Sequence, residues 1–263
     1  MKQIPNFFTL LNLIFGCLAI VFILQTGSNI VVLDNGGATE VMLPERIWQG
    51  ALFIFAAAVI DFLDGFVARL MNAQSEMGKQ LDSLSDVVSF GVAPGMILYQ
   101  LLRMSFAQEE NGLDVSIVAL LPAFLYTAAV AWRLAAFNIS TDQTNSFKGV
   151  PCPAAGLVVA SFPLIIWYPQ YEGIKQVLVN KWFLYAVILL LAYLMVSKRS
   201  FMAMKFKSLS LQSNLPQYIL IGIGVISVVL LRWAAVPIIF FSYLVLSFFS
   251  NSLATPPRAE VKL

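Results

Sequence analysis

Residues 61–91 read DFLDGFVARLMNAQSEMGKQLDSLSDVVSFG, a stretch that places four aspartates at helical spacings on two neighbouring segments. Asp61 and Asp64 are three residues apart, and Asp82 and Asp86 are four apart, so each pair lies on one face of its own helix. A short polar turn between the pairs lets the second helix run back along the first. The stretch therefore predicts a helical hairpin whose two acidic faces meet at matching depth.

The rest of the chain is strongly apolar. Of its 263 residues, 59% are apolar and 11% are charged, and 21 are phenylalanines, a balance that a water-soluble globule does not show. The net charge of +2 provides no basic field for nucleic acid. The chain has no histidine, which removes the commonest general base and leaves carboxylates and hard cations for any chemistry.

Apolar stretches long enough to cross a bilayer recur along the whole chain. We expect about eight transmembrane helices, at 7–25, 47–70, 81–103, 116–139, 153–170, 181–197, 216–231 and 234–250. Polar or Gly/Pro-marked segments join them, and the last two form a tight hairpin around RWAAVP. The predicted fold class is an all-α polytopic integral membrane protein, with the first helix retained and not cleaved as a signal peptide.

Lysines and arginines near the helix ends predict the orientation in the membrane. With a cytoplasmic N-terminus, ten of them fall on the inner side and five on the outer side. We therefore expect both termini in the cytoplasm, a location in the inner (cytoplasmic) membrane, and an aspartate cluster that faces the cytoplasm.

Four ionised carboxylates that converge within a few ångströms repel each other and are costly to desolvate, so the cluster requires a cation. All-oxygen ligands favour Mg²⁺, Mn²⁺ or Ca²⁺, and two ions about 4 Å apart that clamp a phosphate would suit this many acids. Arg69, one turn past Gly65, is placed to bind an anionic group beside the ions. A cation or proton transporter is the alternative from another class, although the other half of the sequence repeats no such set of acids.

The fixed residues of the stretch read Asp61-xx-Asp64-Gly65-xx-Ala68-Arg69, eight residues, Gly78-xxx-Asp82-xxx-Asp86. They match every fixed position in the signature of the CDP-alcohol phosphotransferases, which the chain resembles. Segments 4–20, 133–140 (RLAAFNIS), 147–156 (FKGVPCPAAG) and 193–201 (YLMVSKRSF) are similar to those of bacterial and archaeal phosphatidylserine synthases, so the resemblance covers most of residues 4–205. Ala136 stands where that branch usually has a second arginine, a departure that bears on acceptor recognition and not on the metal site.

The resemblance implies a membrane phosphotransferase for substituted phosphate groups that uses Mg²⁺ or Mn²⁺, as two divalent ions. It would transfer the phosphatidyl group of CDP-diacylglycerol to the hydroxyl of L-serine, giving phosphatidylserine and CMP. Glycerol 3-phosphate or inositol phosphate is the alternative acceptor. Direct in-line attack is favoured because no serine or cysteine in the cluster has an evident activating partner, and a phosphatidyl-enzyme intermediate is the other route. A homodimer is also expected from the family.

The resemblance also implies a role for each motif residue. Asp61, Asp64 and Asp82 would bind metal, while Asp86 would complete the shell of the second ion and act as the general base for the acceptor hydroxyl. The residues expected to contact the CDP nucleotide are Asn6, Thr9, Gly65, Ala68, Arg69 and Gly78. The residues expected to bind the acceptor or a phosphate are Arg133, Asn138, Lys148, Lys198 and Arg199.

Plainer interpretations stay open for some of these residues. Asn6 and Thr9 could cap the first helix, and Arg133 could pair with an acid of the cluster. Residues 197–207, SKRSFMAMKFK, could form an ordinary cytoplasmic loop or lie on the inner leaflet beside anionic lipids. For domain organisation we expect a six-helix catalytic core over 1–205, followed over 206–263 by a transmembrane hairpin and a short cytoplasmic tail.

Overall fold

A computed structural model describes residues 4–25, 28–34, 37–43, 46–71, 75–109, 115–139, 147–168, 172–201 and 214–253. Helices dominate these residues, which confirms the prediction of a helical protein. The expectations for the two termini and for the basic run beyond Phe201 lie outside the described residues.

The chain forms helices joined by short connections and by two small pairs of strands. The helices are α1 (Ile4–Leu24), α2 (Ile47–Leu70), α3 (Glu76–Asp86), α4 (Ala93–Phe106), α5 (Ile117–Leu120), α6 (Ala123–Ile139), α7 (Cys152–Trp167), α8 (Glu172–Leu178), α9 (Lys181–Val196), α10 (Leu215–Leu231) and α11 (Ala235–Leu253). A π-helical segment, Val87–Val92, joins α3 to α4, and a 3₁₀ turn, Arg232–Ala234, joins α10 to α11. The antiparallel strand pairs are β1 (Ser28–Asp34) with β2 (Gly37–Leu43), and β3 (Phe147–Lys148) with β4 (Ser200–Phe201).

Several of these helices are long and apolar enough to cross a membrane. Among the described residues, four segments meet this condition, namely Pro5–Leu24, Ile47–Leu70, Glu76–Phe106 and Leu215–Phe248. Three shorter helices, α6, α7 and α9, are also apolar. The protein is therefore an integral membrane protein, and the number of eight spans stays a prediction.

Two regions depart from the expected elements. The helix predicted over 116–139 is divided at Pro122, because proline has no N–H to donate to the preceding turn. Beyond the break, the Phe124 N–H donates to the Leu121 carbonyl at 2.9 Å. The region after α1, expected only as a polar connection, instead forms the hairpin β1–β2, with Ser28 opposite Leu43.

The structure divides into two compact units, described separately here. The first unit comprises Met1–Ser140 with Pro151–Val196 and contains α1 to α9 with the hairpin β1–β2. In it α1 packs along α2, and the continuous run from α3 through the π segment to α4 contacts α1, α6 and α7. Small residues allow this close packing: a Cβ on Gly50 of α2 would lie 2.8 Å from the Ala19 carbonyl oxygen of α1.

The second unit comprises Thr141–Val150 with Ser197–Leu263. Its strands β3 and β4 pair, and the Gly149 N–H donates to the Arg199 carbonyl at 3.0 Å. Helices α10 and α11 fold back on each other, so that a Cβ on Gly224 would lie 3.7 Å from the Ile239 side chain. Arg232, with a φ of 44°, lies at the reversal. This packing agrees with the predicted hairpin.

Candidate active site

Helix α2 supplies the first two aspartates near its C-terminal end. Asp64 is buried, with 6% of its surface exposed, and Asp61 is half-buried. The helix ends at Leu70, where the Met71 N–H donates to the Val67 carbonyl at 2.9 Å. The two carboxylates thus lie within three turns of the helix end that leads into the connection to α3.

Helix α3 supplies the other two aspartates. The helix begins after Ser75, whose side chain accepts a hydrogen bond from the Gly78 N–H at 3.0 Å, as an N-cap does. Asp82 is half-buried, and Asp86, the last residue of α3, is 7% exposed. The π-helical segment begins at the next residue, and such segments are frequent at functional sites.

The predicted metal ligands come together between α2 and α3. Carboxylate oxygens of Asp61, Asp64 and Asp82 all lie within 4.8 Å of one another. Asp86 is not one of these three, but its side chain contacts that of Asp61 and interacts electrostatically with all three carboxylates. The donors are all carboxylate oxygens, the ligand type that Mg²⁺ and Mn²⁺ prefer, and the group therefore fits a hard divalent cation.

Helix α1 contacts the cluster although it contains no acidic residue. The Thr9 hydroxyl donates to Asp64 Oδ2 at 2.8 Å. The side-chain amide of Asn12 donates to Asp86 Oδ1 at 3.4 Å. We did not predict Asn12 as a site residue. Its signal in the sequence is a polar side chain three residues after Thr9, on the same face of an otherwise apolar helix.

The small residues of the motif lie next to the carboxylates. A Cβ on Gly65 would meet nothing closer than Arg69 Nη1, at 3.5 Å, so the protein leaves space there. A Cβ on Gly78 would lie 3.1 Å from Asn6 Oδ1, which brings two of the predicted nucleotide contacts together. Ala68 is half-buried on α2. Arg69 is exposed, and its charge acts on Asp64.

Helix α6 carries two of the predicted acceptor contacts. Arg133 donates through Nη1 to Cys152 Sγ at 3.3 Å, and its buried Nε has no hydrogen-bond partner within the described part of the chain. The Asn138 amide donates to Ser83 Oγ at 2.8 Å, and the Asn138 carbonyl accepts from Lys79 Nζ at 3.2 Å. Asn138 thus links α6 to the helix that carries Asp82. Lys79, which we did not predict as a site residue, takes part in this link.

The other predicted acceptor contacts belong to the second unit. Lys148 lies on β3 and pairs with Ser200 of β4. Lys198 and Arg199 are exposed, and the Arg199 guanidinium lies 4.5 Å from the centre of the Phe248 ring. The role of these three residues in acceptor binding stays a prediction.

Comparison with known proteins gives one family and a consistent set of relatives. Residues 2–195 match the family described as CDP-alcohol phosphatidyltransferase. The CDP-diacylglycerol–serine O-phosphatidyltransferase of Bacillus subtilis (strain 168) is 35% identical over 164 residues, 62% of this chain and 77% of the relative. The enzyme of the same name from Helicobacter pylori (strain ATCC 700392 / 26695) is 36% identical over 196 residues, 73% of this chain and 69% of the relative. That of Methanocaldococcus jannaschii is 37% identical over 127 residues, 48% of this chain and 56% of the relative.

Proposed function

Because this chain belongs to the CDP-alcohol phosphatidyltransferase family, we propose that it is a CDP-diacylglycerol–serine O-phosphatidyltransferase. The observation that carries the proposal is the convergence of Asp61, Asp64 and Asp82 within 4.8 Å, at the spacing of the family motif. The choice of serine is supported by relatives that are 35% and 36% identical and bear this name. The substrates are then CDP-diacylglycerol and L-serine, and the products are phosphatidylserine and CMP.

Asp61, Asp64 and Asp82 would hold the divalent cations, with Asp86 completing the site on its buried side. Two ions, Mg²⁺ or Mn²⁺, suit four carboxylates better than one, because each carboxylate then lies beside positive charge. When bound, the ions supply the charge that neutralises the pyrophosphate of the substrate. The carboxylates fix where that charge lies, and therefore where the pyrophosphate binds.

The reaction is a displacement at the phosphorus of the phosphatidyl group. Asp86 accepts the proton of the serine hydroxyl, and the serine oxygen forms a bond to that phosphorus. The bond from the phosphorus to the bridging pyrophosphate oxygen breaks, and its electron pair leaves with CMP. We favour direct attack because the nearby hydroxyls of Ser85 and Ser89 both donate to backbone carbonyls, at 3.0 and 3.1 Å, and have no basic partner that would make them nucleophiles.

The nucleotide would bind beside the small residues of the motif. Gly65 and Ala68 leave room on α2, while Asn6 and Gly78 approach each other at the start of α3. Arg69 is exposed and within electrostatic range of Asp64, which suits contact with a phosphate oxygen. Thr9 would act at this site through its bond to Asp64.

The serine carboxylate would be bound by cationic side chains. Arg133 is the principal candidate, because its buried Nε has no partner in the described ranges and a guanidinium pairs well with a carboxylate. Asn138 would support this side of the site from the same helix. The family resemblance also makes Lys148, Lys198 and Arg199 candidates for binding serine or a lipid phosphate.

The proposal includes a location and a topology. Eight transmembrane helices, with both termini in the cytoplasm, would place the connection from α2 to α3 at the inner face of the cytoplasmic membrane. The catalytic core would span residues 1–205 and a C-terminal hairpin with a short tail residues 206–263. We expect a homodimer, as in the family.

The proposal is tested by identifying the lipid product. The purified protein is incubated in mixed micelles with CDP-diacylglycerol, Mn²⁺ and one acceptor at a time, namely L-serine, glycerol 3-phosphate or inositol phosphate. Mass spectrometry of the lipid extract should detect phosphatidylserine with serine and no lipid product with the other two. A lipid product with another acceptor would support phosphatidyl transfer but reject serine as the acceptor. If folded protein gives no product with any acceptor, a cation or proton transporter would be favoured.

A further inference from the structure

Helix α1 has two buried polar side chains on the face that meets the aspartates. Thr9 is 4% exposed and Asn12 is fully buried. Because they are three residues apart, they lie on the same face of the helix, one almost above the other. They reach different carboxylates, and neither carboxylate comes from α1.

Each of the two side chains occupies one oxygen of a carboxylate. The Thr9 hydroxyl lies 2.8 Å from Asp64 Oδ2 and 3.2 Å from the Pro5 carbonyl. A hydroxyl has a single hydrogen, and the shorter, charge-assisted bond to Asp64 is the stronger of the two. The amide of Asn12 donates to Asp86 Oδ1 at 3.4 Å.

Helix α3 and the π segment that follows it donate one hydrogen bond each to the α1 backbone at these two levels. Ser85 Oγ donates to the Thr9 carbonyl at 3.0 Å, and Ser89 Oγ donates to the Asn12 carbonyl at 3.1 Å. Gly16, one turn after Asn12, allows the approach, because a Cβ there would collide with the Ser89 hydroxyl. Four hydrogen bonds thus hold α1 against the aspartates, one to α2 and three shared with the run from α3 into the π segment.

The carbonyl oxygen of the Asn12 side-chain amide indicates why an asparagine is present at this position. This atom, Oδ1, is buried and has no hydrogen-bond partner among the residues that the structure describes. Burial of an unpaired amide oxygen is unfavourable, and a leucine of similar size would avoid it. The bond from Nδ2 to Asp86 is the interaction that an amide provides here and a leucine does not.

We propose that Thr9 and Asn12 are positioning residues for the reaction, Thr9 through Asp64 and Asn12 through Asp86. This inference rests on the proposed function, which gives those two carboxylates their roles. Each bond fixes one carboxylate oxygen and so restricts the direction of the other. Since Asp64 belongs to the group within 4.8 Å, Thr9 governs ion affinity. Asp86 would both complete the ion site and accept the serine proton, so Asn12 affects turnover most and ion affinity less.

The test separates ion binding from turnover. We would purify full-length Thr9→Val, Thr9→Ser and Asn12→Leu, with Ser161→Ala as the matched control, since Ser161 is a buried hydroxyl of α7 that donates to the Val158 carbonyl. Mn²⁺ binding is measured without substrate from the electron paramagnetic resonance signal of free Mn²⁺. Serine-dependent CMP release and the Tm of the metal-free protein are measured in parallel.

Thr9→Val should raise the Kd for Mn²⁺ about 10- to 100-fold, the range found when a residue that orients a metal ligand is replaced. Thr9→Ser keeps the hydroxyl, and its Kd for Mn²⁺ should stay within about threefold of that of the unmodified protein. Asn12→Leu should lower kcat about 10- to 100-fold at saturating Mn²⁺ and raise the Kd for Mn²⁺ less than Thr9→Val does. Ser161→Ala should leave both quantities unchanged.

The proposal is overturned if Thr9→Val binds Mn²⁺ as the unmodified protein does, or if Asn12→Leu keeps its kcat. If all variants lose the same Tm and keep their Kd and kcat, Thr9 and Asn12 contribute only to the packing of α1 and not to the reaction. Should a variant fail to fold, Thr9→Ala and Asn12→Ala replace it, and both also remove the donor. Because Mn²⁺ binding needs no substrate, a failure of the serine reaction in the unmodified protein would reject the proposed function separately.

Discussion

Asp82 belongs to a group of carboxylates that would destabilise the protein without a cation. Asp64 and Asp86 are 6% and 7% exposed, and water therefore screens their repulsion poorly. The side chains that donate to Asp64 and Asp86 in the described residues, Thr9 and Asn12, are neutral. Together these carboxylates would hold a divalent ion, whose charge would offset the repulsion and be available to the substrate.

Replacement of one ligand should stop the reaction and leave the fold intact. Asp82→Asn keeps the shape of the side chain but removes its charge, and we expect serine-dependent CMP release to fall on the order of 10³-fold, since metal stabilisation is worth several kcal/mol. The control is Glu109→Gln, an acid paired with Lys181 away from the cluster. Retention of more than about a tenth of the activity by Asp82→Asn would contradict the assignment.

Gly65 tests whether the nucleotide occupies the space that the protein leaves open. A Cβ there would meet protein atoms no closer than 3.5 Å, an ordinary contact, so Gly65→Ala should not lower the Tm. If the nucleotide fills this space, the KM for CDP-diacylglycerol should rise about tenfold, in line with the cost of a poorly accommodated methyl group. Gly222→Ala, where nothing lies within 4 Å, is the control. An unchanged KM would remove Gly65 from the nucleotide site.

At the scale of elements, the π-helical segment after Asp86 is held by hydroxyls of α6. Tyr126 donates to the Phe90 carbonyl at 2.9 Å, and Thr127 donates to the Gly91 carbonyl at 3.0 Å. A π-helical turn displaces carbonyls from the regular α-helical bonding pattern, so they need other partners. Helix α6, which carries Arg133, is thereby connected to the segment that follows the predicted general base.

Loss of one of these hydroxyls should affect both stability and activity. Tyr126→Phe leaves the buried Phe90 carbonyl without this donor, and we expect a loss of about 1–3 kcal/mol in the free energy of unfolding together with a lower kcat. Tyr185→Phe removes a hydroxyl that donates to the Ala119 carbonyl, apart from the cluster, and should lower the Tm alone. Equal kcat values for the two variants would show that the π segment does not influence the aspartates.

The helices and the aspartate cluster could be predicted because both depend on local periodicity. Spacings of three and four residues place Asp61 with Asp64 and Asp82 with Asp86 whatever the tertiary contacts are. The π segment and the Asn12 contact could not be predicted, since both result from how α1 and α6 pack against α3. The hairpin β1–β2 was missed because its polar ends at Ser28 and Asp34 resemble those of a loop.

At the scale of the whole molecule, the topology determines which compartment supplies serine and receives CMP. The excess of basic residues on one side predicts that the connection from α2 to α3 faces the cytoplasm. Glu76 is exposed at the start of α3, and Gln108 is exposed after α4, at the opposite end of that continuous helical run. These two positions should therefore lie on opposite sides of the membrane.

Thiol labelling of intact cells and inverted vesicles checks this topology. Glu76→Cys and Gln108→Cys are introduced separately with Cys17→Ala and Cys152→Ser, the latter keeping a hydrogen-bond acceptor for Arg133. A membrane-impermeant maleimide should label Cys at position 108 in intact cells and at position 76 in inverted vesicles. The reverse pattern would place the active site outside the cytoplasm.

The central claim is that the aspartate cluster holds a divalent ion that phosphatidyl transfer to serine requires. The most direct measurement is CMP release by the purified protein, stripped of metal with EDTA and given CDP-diacylglycerol, with and without L-serine, as Mn²⁺ is titrated back. We predict no release without Mn²⁺, and release at saturating Mn²⁺ only when serine is present. Serine-dependent CMP release that persists in EDTA would contradict the requirement for a divalent ion. Mn²⁺-dependent CMP release that is the same with and without serine would contradict serine as the acceptor.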